Sequence, residues 1–193
     1  MVEHNGRVGR NTARGSAWWS QSRGLPKSIY DSWRSSLATE PGRPARIFAW
    51  ATTSTGYSIA SPATLSYGDE EGWKHIGWHD IERGAWNAEL RKLSWALHAP
   101  PGKAATRGSI ELVEPGRVPE VFRERIVATI AIEKFVPLVG ERGVTITARR
   151  DLGGTGAVVW HGTLTRGLSW QTAGVRTAVD QAMEQVRTEY DVG

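Results

Sequence analysis

Hydrophobic and polar positions along this chain change period several times, and each change marks an element. Residues 1–24 are Gly, Ser, Arg and Asn with almost no aliphatic side chains, and they predict a disordered tail. Ile29, Trp33 and Leu37 then recur at i, i+4 and i+8 behind Pro26. That spacing predicts a short helix from Leu25 to about Ala38, with one apolar face and a proline suited to its first turn. Glu40-Pro41-Gly42-Arg43-Pro44 stops it.

From Arg46 to about Val113 the period becomes two. RIFAWATT, YSIAS, ATLSY, WKHIGW, ERGAWNA, KLSWALH and SIELVE are short alternating runs divided by turn chemistry such as Ser54-Thr55-Gly56 and Gly68-Asp69-Glu70-Glu71-Gly72. Turns every 8–12 residues predict an antiparallel meander, with an edge or bend at Pro62. Helical spacing returns in Val118, Val121, Phe122, Ile126, Ile130 and Phe135, which predicts a helix over 118–134 packed on the open sheet. GVTITARR and AVVWHGTL flank a Gly-rich turn and predict a β-hairpin. GLSWQTAGVRTAVDQAMEQVRTEY predicts a terminal helix with Val175, Val179, Ala182, Met183 and Val186 on one face.

Strands, helix, hairpin, helix is an α+β order. The expected organisation is a tail (1–24), a helix plus β-meander and capping helix (25–135), and a hairpin with a terminal helix packed on the same domain (136–193). The first residues carry no apolar signal-peptide core, and no apolar run reaches the roughly 18–20 residues of a membrane span, so the expected location is cytoplasmic. The chain has no cysteine, which excludes disulfides, thiol chemistry and thiolate metal ligands.

The net charge of +4 is unevenly spread. Residues 1–46 hold eight basic residues against three acidic ones, leaving 16 basic and 17 acidic in the rest. The basic character therefore belongs to an arm. Arg7, Arg10, Arg14 and Arg23, with the pair Trp18-Trp19, are the candidate contacts to nucleic-acid phosphates or an anionic membrane. Ten tryptophans are the compositional outlier. Six of them (50, 73, 78, 86, 95 and 160) fall in predicted strands with few basic residues between them, so burial explains them better than base stacking. Trp73 and Trp78 are five apart, which puts them on opposite faces of a strand unless a bulge intervenes near Gly77.

Catalytic and ligand-binding motifs are thin. His75 and His79 have a His-x3-His spacing, but on a strand and turn, without the HExxH pattern of helical metalloproteases. Gly153-Gly154-Thr155-Gly156 lacks the ending of a phosphate loop and reads as a hairpin turn. No G-x-S-x-G elbow occurs. His79, Asp80 and Glu82 form a candidate acid–base cluster, against which the simpler reading places both carboxylates on the solvent side of a strand. Arg142, Arg149, Arg150, His161 and Arg166 form a candidate basic patch on the second hairpin, against the reading of a solvated strand face. The expectation is no catalytic residue, no metal site, no cofactor and no small-molecule substrate.

Trp78-His79-Asp80-Ile81, then Ala85-Trp86-Asn87, a turn, and Leu93-Ser94-Trp95 resemble bacterial pleckstrin-homology-like (PH-like) domains. More narrowly, residues 25–190 resemble an uncharacterised actinobacterial family with such a sheet, followed by the segment Glu114-Pro115-Gly116-Arg117-Val118-Pro119-Glu120. The resemblance implies a PH-like split barrel closed by the helix after SIELVE. It does not imply phosphoinositide binding, because the turn Thr53-Ser54-Thr55-Gly56 carries no lysine or arginine. The last hairpin and helix lie outside the pattern. The functional expectation is a non-catalytic binding or scaffold module that engages a protein through a sheet edge or groove. The alternatives are nucleic-acid association, or weaker attachment to anionic membrane, through the tail.

Overall fold

The computed structural model describes residues 24–37, 45–154 and 156–190. Arg7, Arg10, Arg14, Trp18, Trp19 and Arg23, together with the expected disorder of the tail up to residue 23, lie outside the described residues.

Pro26 starts the first helix, α1 (Lys27–Ser36), and its carbonyl accepts the Tyr30 N–H at 2.9 Å. The helix is shorter than its hydrophobic spacing predicts. Ser36 turns its hydroxyl back onto the Trp33 carbonyl at 2.6 Å, and Leu37 is already extended.

The meander forms seven strands: β1 (Ala49–Thr53), β2 (Gly56–Ala60), β3 (Thr64–Asp69), β4 (Gly72–Gly77), β5 (Ile81–Asn87), β6 (Lys92–Leu97) and β7 (Arg107–Glu114). They make one curled antiparallel sheet in the order β4-β3-β2-β1-β7-β6-β5, with β1 and β7 joining its two halves. Strand alternation sorts the side chains. Ala49, Ala51, Ala60, Leu65, Ile76, Leu93, Trp95 and Leu112 line one core. Ile59 turns to the other face, where Ile29 and Trp33 of α1 cover it beside Trp50, Tyr57 and Trp73.

Trp78 corrects the strand assignment. It opens a 3-10 turn, Trp78–Asp80, between β4 and β5. Its fully buried indole donates Nε1–H to the Ser61 carbonyl at 3.0 Å and meets Phe122 edge-on at 6.1 Å. Trp73 packs on the α1 side and donates to Ser32 Oγ at 3.1 Å, so the two indoles do occupy opposite faces.

The next helix, α2, spans Val118–Thr129, with Pro119 in its first turn. Val118, Val121 and Phe122 share the core of the curled sheet. The helix ends five residues before the predicted limit. Ile130 and Phe135 belong to β8 (Ile130–Val139), which pairs with β9 (Arg142–Arg150) from Ile130↔Arg149 to Val139↔Arg142. Ile126 and Ile130 fit both a helical stripe and the start of a strand, and pairing with β9 decides for the strand. Thr129 marks the switch by bonding back to the Ile126 carbonyl at 2.6 Å.

The predicted hairpin is β9 with β10 (Val158–Leu164), and β8 makes it a three-stranded sheet, β10-β9-β8. Position 135 thus lies inside β8, and the second group of elements begins at Ile130. The last helix, α3 (Val175–Tyr190), starts later than predicted and lays Val175, Val179, Ala182 and Val186 on Val144, Ile146 and Ala148. Among the described residues no helix is long and apolar enough to cross a membrane.

Candidate functional site

Strand β5 ends the sheet order, and α2 lies beside it. Leu97 donates its N–H to Thr106, and Leu112 donates to Arg91, so the odd-numbered residues of β6 bond toward β7. The even-numbered residues of β6 therefore bond β5, where Ser94 faces Ala85 and Lys92 faces Asn87. By antiparallel alternation the backbone groups of Gly84 and Trp86 point away from the sheet, and a bulge between Ile81 and Arg83 sets Glu82 outside the regular ladder. Arg149 from β9 takes the Glu82 carbonyl at 3.4 Å. Gly84 and Trp86 continue the open edge.

The edge borders a groove of about 490 Å³, lined by Gly84, Trp86, Pro119, Phe122, Ile126 and Val127, with Glu120 and Arg123 at its polar margin. Gly84 is required for this close packing. A Cβ there would lie 2.3 Å from the Phe122 ring and 2.8 Å from Ile126 Cδ1. Val127 is 59% exposed, an apolar side chain open to an incoming one. Such a groove can hold side chains of an extended segment while the strand edge bonds its backbone.

The second feature is a polar seam between the two sheets. Arg149 is 4% exposed, and its guanidinium donates to Thr129 Oγ1 at 2.8 Å and the Ile126 carbonyl at 3.3 Å. Those acceptors belong to the last turn of α2, whose unpaired carbonyls and dipole favour a cation. Burial lowers the Arg149 pKa, while Glu133 and Glu82 oppose that shift. A lysine has no planar fork to reach all three acceptors. Arg149→Lys is expected to cost about 2 kcal/mol in urea unfolding, with loss of amide protection at Thr129 and Ile130.

Beside Arg149, His98 (just after β6) and His161 (in β10) stack with ring centroids 3.6 Å apart and planes 6° apart. The Nε2 atoms of both are buried without a hydrogen-bond partner. Burial, then the charges of His161, Arg149 and His79, pushes His98 down to about 3. Burial and Arg149 also lower His161, while Asp80 pulls it back up.

The sequence-selected residues scatter. His75 sits on the outer sheet face between Ser66 Oγ (2.8 Å from Nδ1) and Ser36 Oγ (3.1 Å from Nε2). A hydroxyl has one proton, and Ser36 gives its own to the Trp33 carbonyl. His75 therefore donates to Ser36 rather than activating it. His79 lies 3.6 Å from both Asp80 and Asp151, in the 3-10 turn rather than on β4 with His75. Among the described residues no group of three or more His, Cys, Asp or Glu could hold a metal ion. Glu82 corrects the solvent-face reading of the Asp80–Glu82 pair. Its side chain is 14% exposed, near Thr163 of β10. The candidate basic patch also separates. Arg149 and His161 face the seam, Arg150 is exposed, and Arg142 packs over Gly167. The Gly-rich loop is a turn in which Asp151 accepts the Gly153 N–H at 2.7 Å.

No family model, curated protein or solved structure matches this chain. Beside the Thr53–Gly56 turn, a hollow of about 220 Å³ is lined by Thr53, Ser54, Thr55, Ser109, Ile110 and Glu111, which supplies a carboxylate and no cation for a phosphate. Sequence reasoning missed the seam. His98 and His161 are 63 positions apart, and no local pattern joins them. The β5–α2 groove carried one signal, the short β5 run with glycine and alanine between Arg83 and Trp86.

Proposed function

We propose that this chain is a non-catalytic, PH-like binding module whose partner is a protein segment held in extended form on β5, in the groove with α2. The observation that carries the reading is the open backbone edge at Gly84 and Trp86 directly beside an apolar groove. An open edge favours a strand over a helix as occupant, because only a strand meets the unpaired N–H and C=O groups. The seven-strand order followed at once by α2 supports the PH-like part of the reading.

A displayed random-peptide library selected on the full chain tests it. Selected peptides are expected to shift the amide resonances of Gly84, Trp86 and the 119–127 stretch. Val127→Asp is expected to weaken them at least tenfold, the scale of a central apolar contact, without changing the unfolding midpoint. Peptides that map to another surface, or that bind Val127→Asp equally well, would refute the reading.

A further inference from the structure

We propose that the stacked His98–His161 pair is an acid-released latch. Protonation of His98 parts β10 from the end of β6 and frees the three-stranded sheet from the curled one, which stays folded. Two neutral imidazoles stack face to face at 3.6 Å, but a charged ring in that position confronts its partner, with Arg149 behind it. One ring directly follows β6 of the curled sheet and the other belongs to β10 of the three-stranded sheet, and neither buried Nε2 has a partner to receive a proton's charge.

The surroundings decide which ring resists. His79, from the 3-10 turn, adds a positive charge when protonated, and Arg149 from β9 is always charged. Lys103, in the loop after β6, lines the same hollow as both rings, and Arg176 of α3 reaches the Pro101 carbonyl in that loop. The acidic groups are Asp80 in the turn, Glu82 in β5, Glu133 in β8 and Asp151 after β9. Asp80 favours a charged His161. His98 has no carboxylate among the groups that shift it, so it is the ring whose protonation opens the seam.

The sign follows from linkage. A histidine whose pKa is lowered in the closed form binds its proton more readily once open, near its ordinary value of about 6.5. The closed seam is therefore favoured above that pH and loses ground as pH falls toward the closed value of about 3. One proton makes opening tenfold more frequent per pH unit within that window.

Hydrogen exchange on the full chain, corrected for intrinsic rates, reads this directly. Between about pH 6.5 and about pH 4.5, amides of β10 and of Leu97 and His98 are expected to lose about fiftyfold in protection. Those of β2 and β3 are expected to hold. In the double variant His98→Phe with His161→Phe, which keeps two stacked rings and nothing to titrate, the seam amides are expected to stay level. An equal loss in the variant overturns the latch, and so does simultaneous loss in both sheets of the native chain. Should the variant fail to fold, the imidazole resonances of the native protein decide. A His98 midpoint well below the ordinary value of about 6.5 supports the latch, and a midpoint at that value overturns it.

Discussion

Trp78→Ala is expected to remove about 4 kcal/mol of unfolding free energy, near the middle of the range for buried aromatic-to-alanine changes. Three losses combine. The indole is fully buried, so a cavity of its own size is left between the curled sheet and α2. The edge-on contact with Phe122 goes. The Ser61 carbonyl, which accepts the indole N–H in the interior, is left unpaired. For a chain of this length the melting temperature is expected to fall by on the order of 10 °C. Trp86→Ala is the contrast. Its indole is half-buried at the groove, and the loss is expected to stay below about 2 kcal/mol. Thermal and urea unfolding of the two variants measures the difference. Equal losses would mean that the groove indole is as much a core residue as Trp78.

Gly143→Ala is expected to be the other severe change, costing at least about 3 kcal/mol. A Cβ there would lie 2.0 Å from the Val136 carbonyl oxygen and 2.8 Å from Pro137 Cα in the neighbouring strand. Both obstacles are backbone, so no side-chain rotation relieves them and β8 must separate from β9. Gly143 is also held from the other side, its N–H bonded to Thr165 Oγ1 and its carbonyl to the Thr165 N–H. The damage is expected to concentrate in the three-stranded sheet and α3, read as lost amide protection at 144–148 while β1 and β2 keep theirs. Gly72→Ala is the control. A Cβ at that position meets nothing within 4 Å, and its effect is expected to stay within about 0.5 kcal/mol. A Gly143→Ala protein as stable as the control would show that the strands can shift at little cost.

These variants probe positions that differ in how far they could be read from the chain. The meander was legible because its signals are local. The Asp69 carboxylate at the β3–β4 turn accepts the N–H groups of Glu71 and Gly72, so the signal for the turn lies within three residues. The end of α2 was not legible. Ile126 and Ile130 satisfy a helical stripe and the approach to a β-branched strand alike, and the choice depends on β9, more than ten residues further on. Arg149 and His161 illustrate the harder case. Their composition suggested a solvated basic face, yet the fold turns both inward, Arg149 because the last turn of α2 offers the Ile126 carbonyl and the Thr129 hydroxyl to its guanidinium, and His161 because β10 lays it on His98. Glu82 was misread for the same reason. Its neighbours lie about eighty residues away, at Thr163.

Period, turn chemistry and composition were therefore sufficient for the kinds of element, for the α+β order and for the burial of Trp33 and Trp95, while Trp50, Trp73, Trp86 and Trp160 are only half-buried. They act within a few residues, and the preferences they express survive in any compatible fold. Which strand ends the sheet, which glycine lies under a helix and which histidines meet belong to tertiary structure. The free edge of β5 exists because β7 returns to pair with β1 and leaves β5 outermost. The histidine seam exists because β10 docks where β6 ends. Both are products of long-range pairing, whose free energy depends on residues far apart in the chain and leaves no periodic trace in either partner.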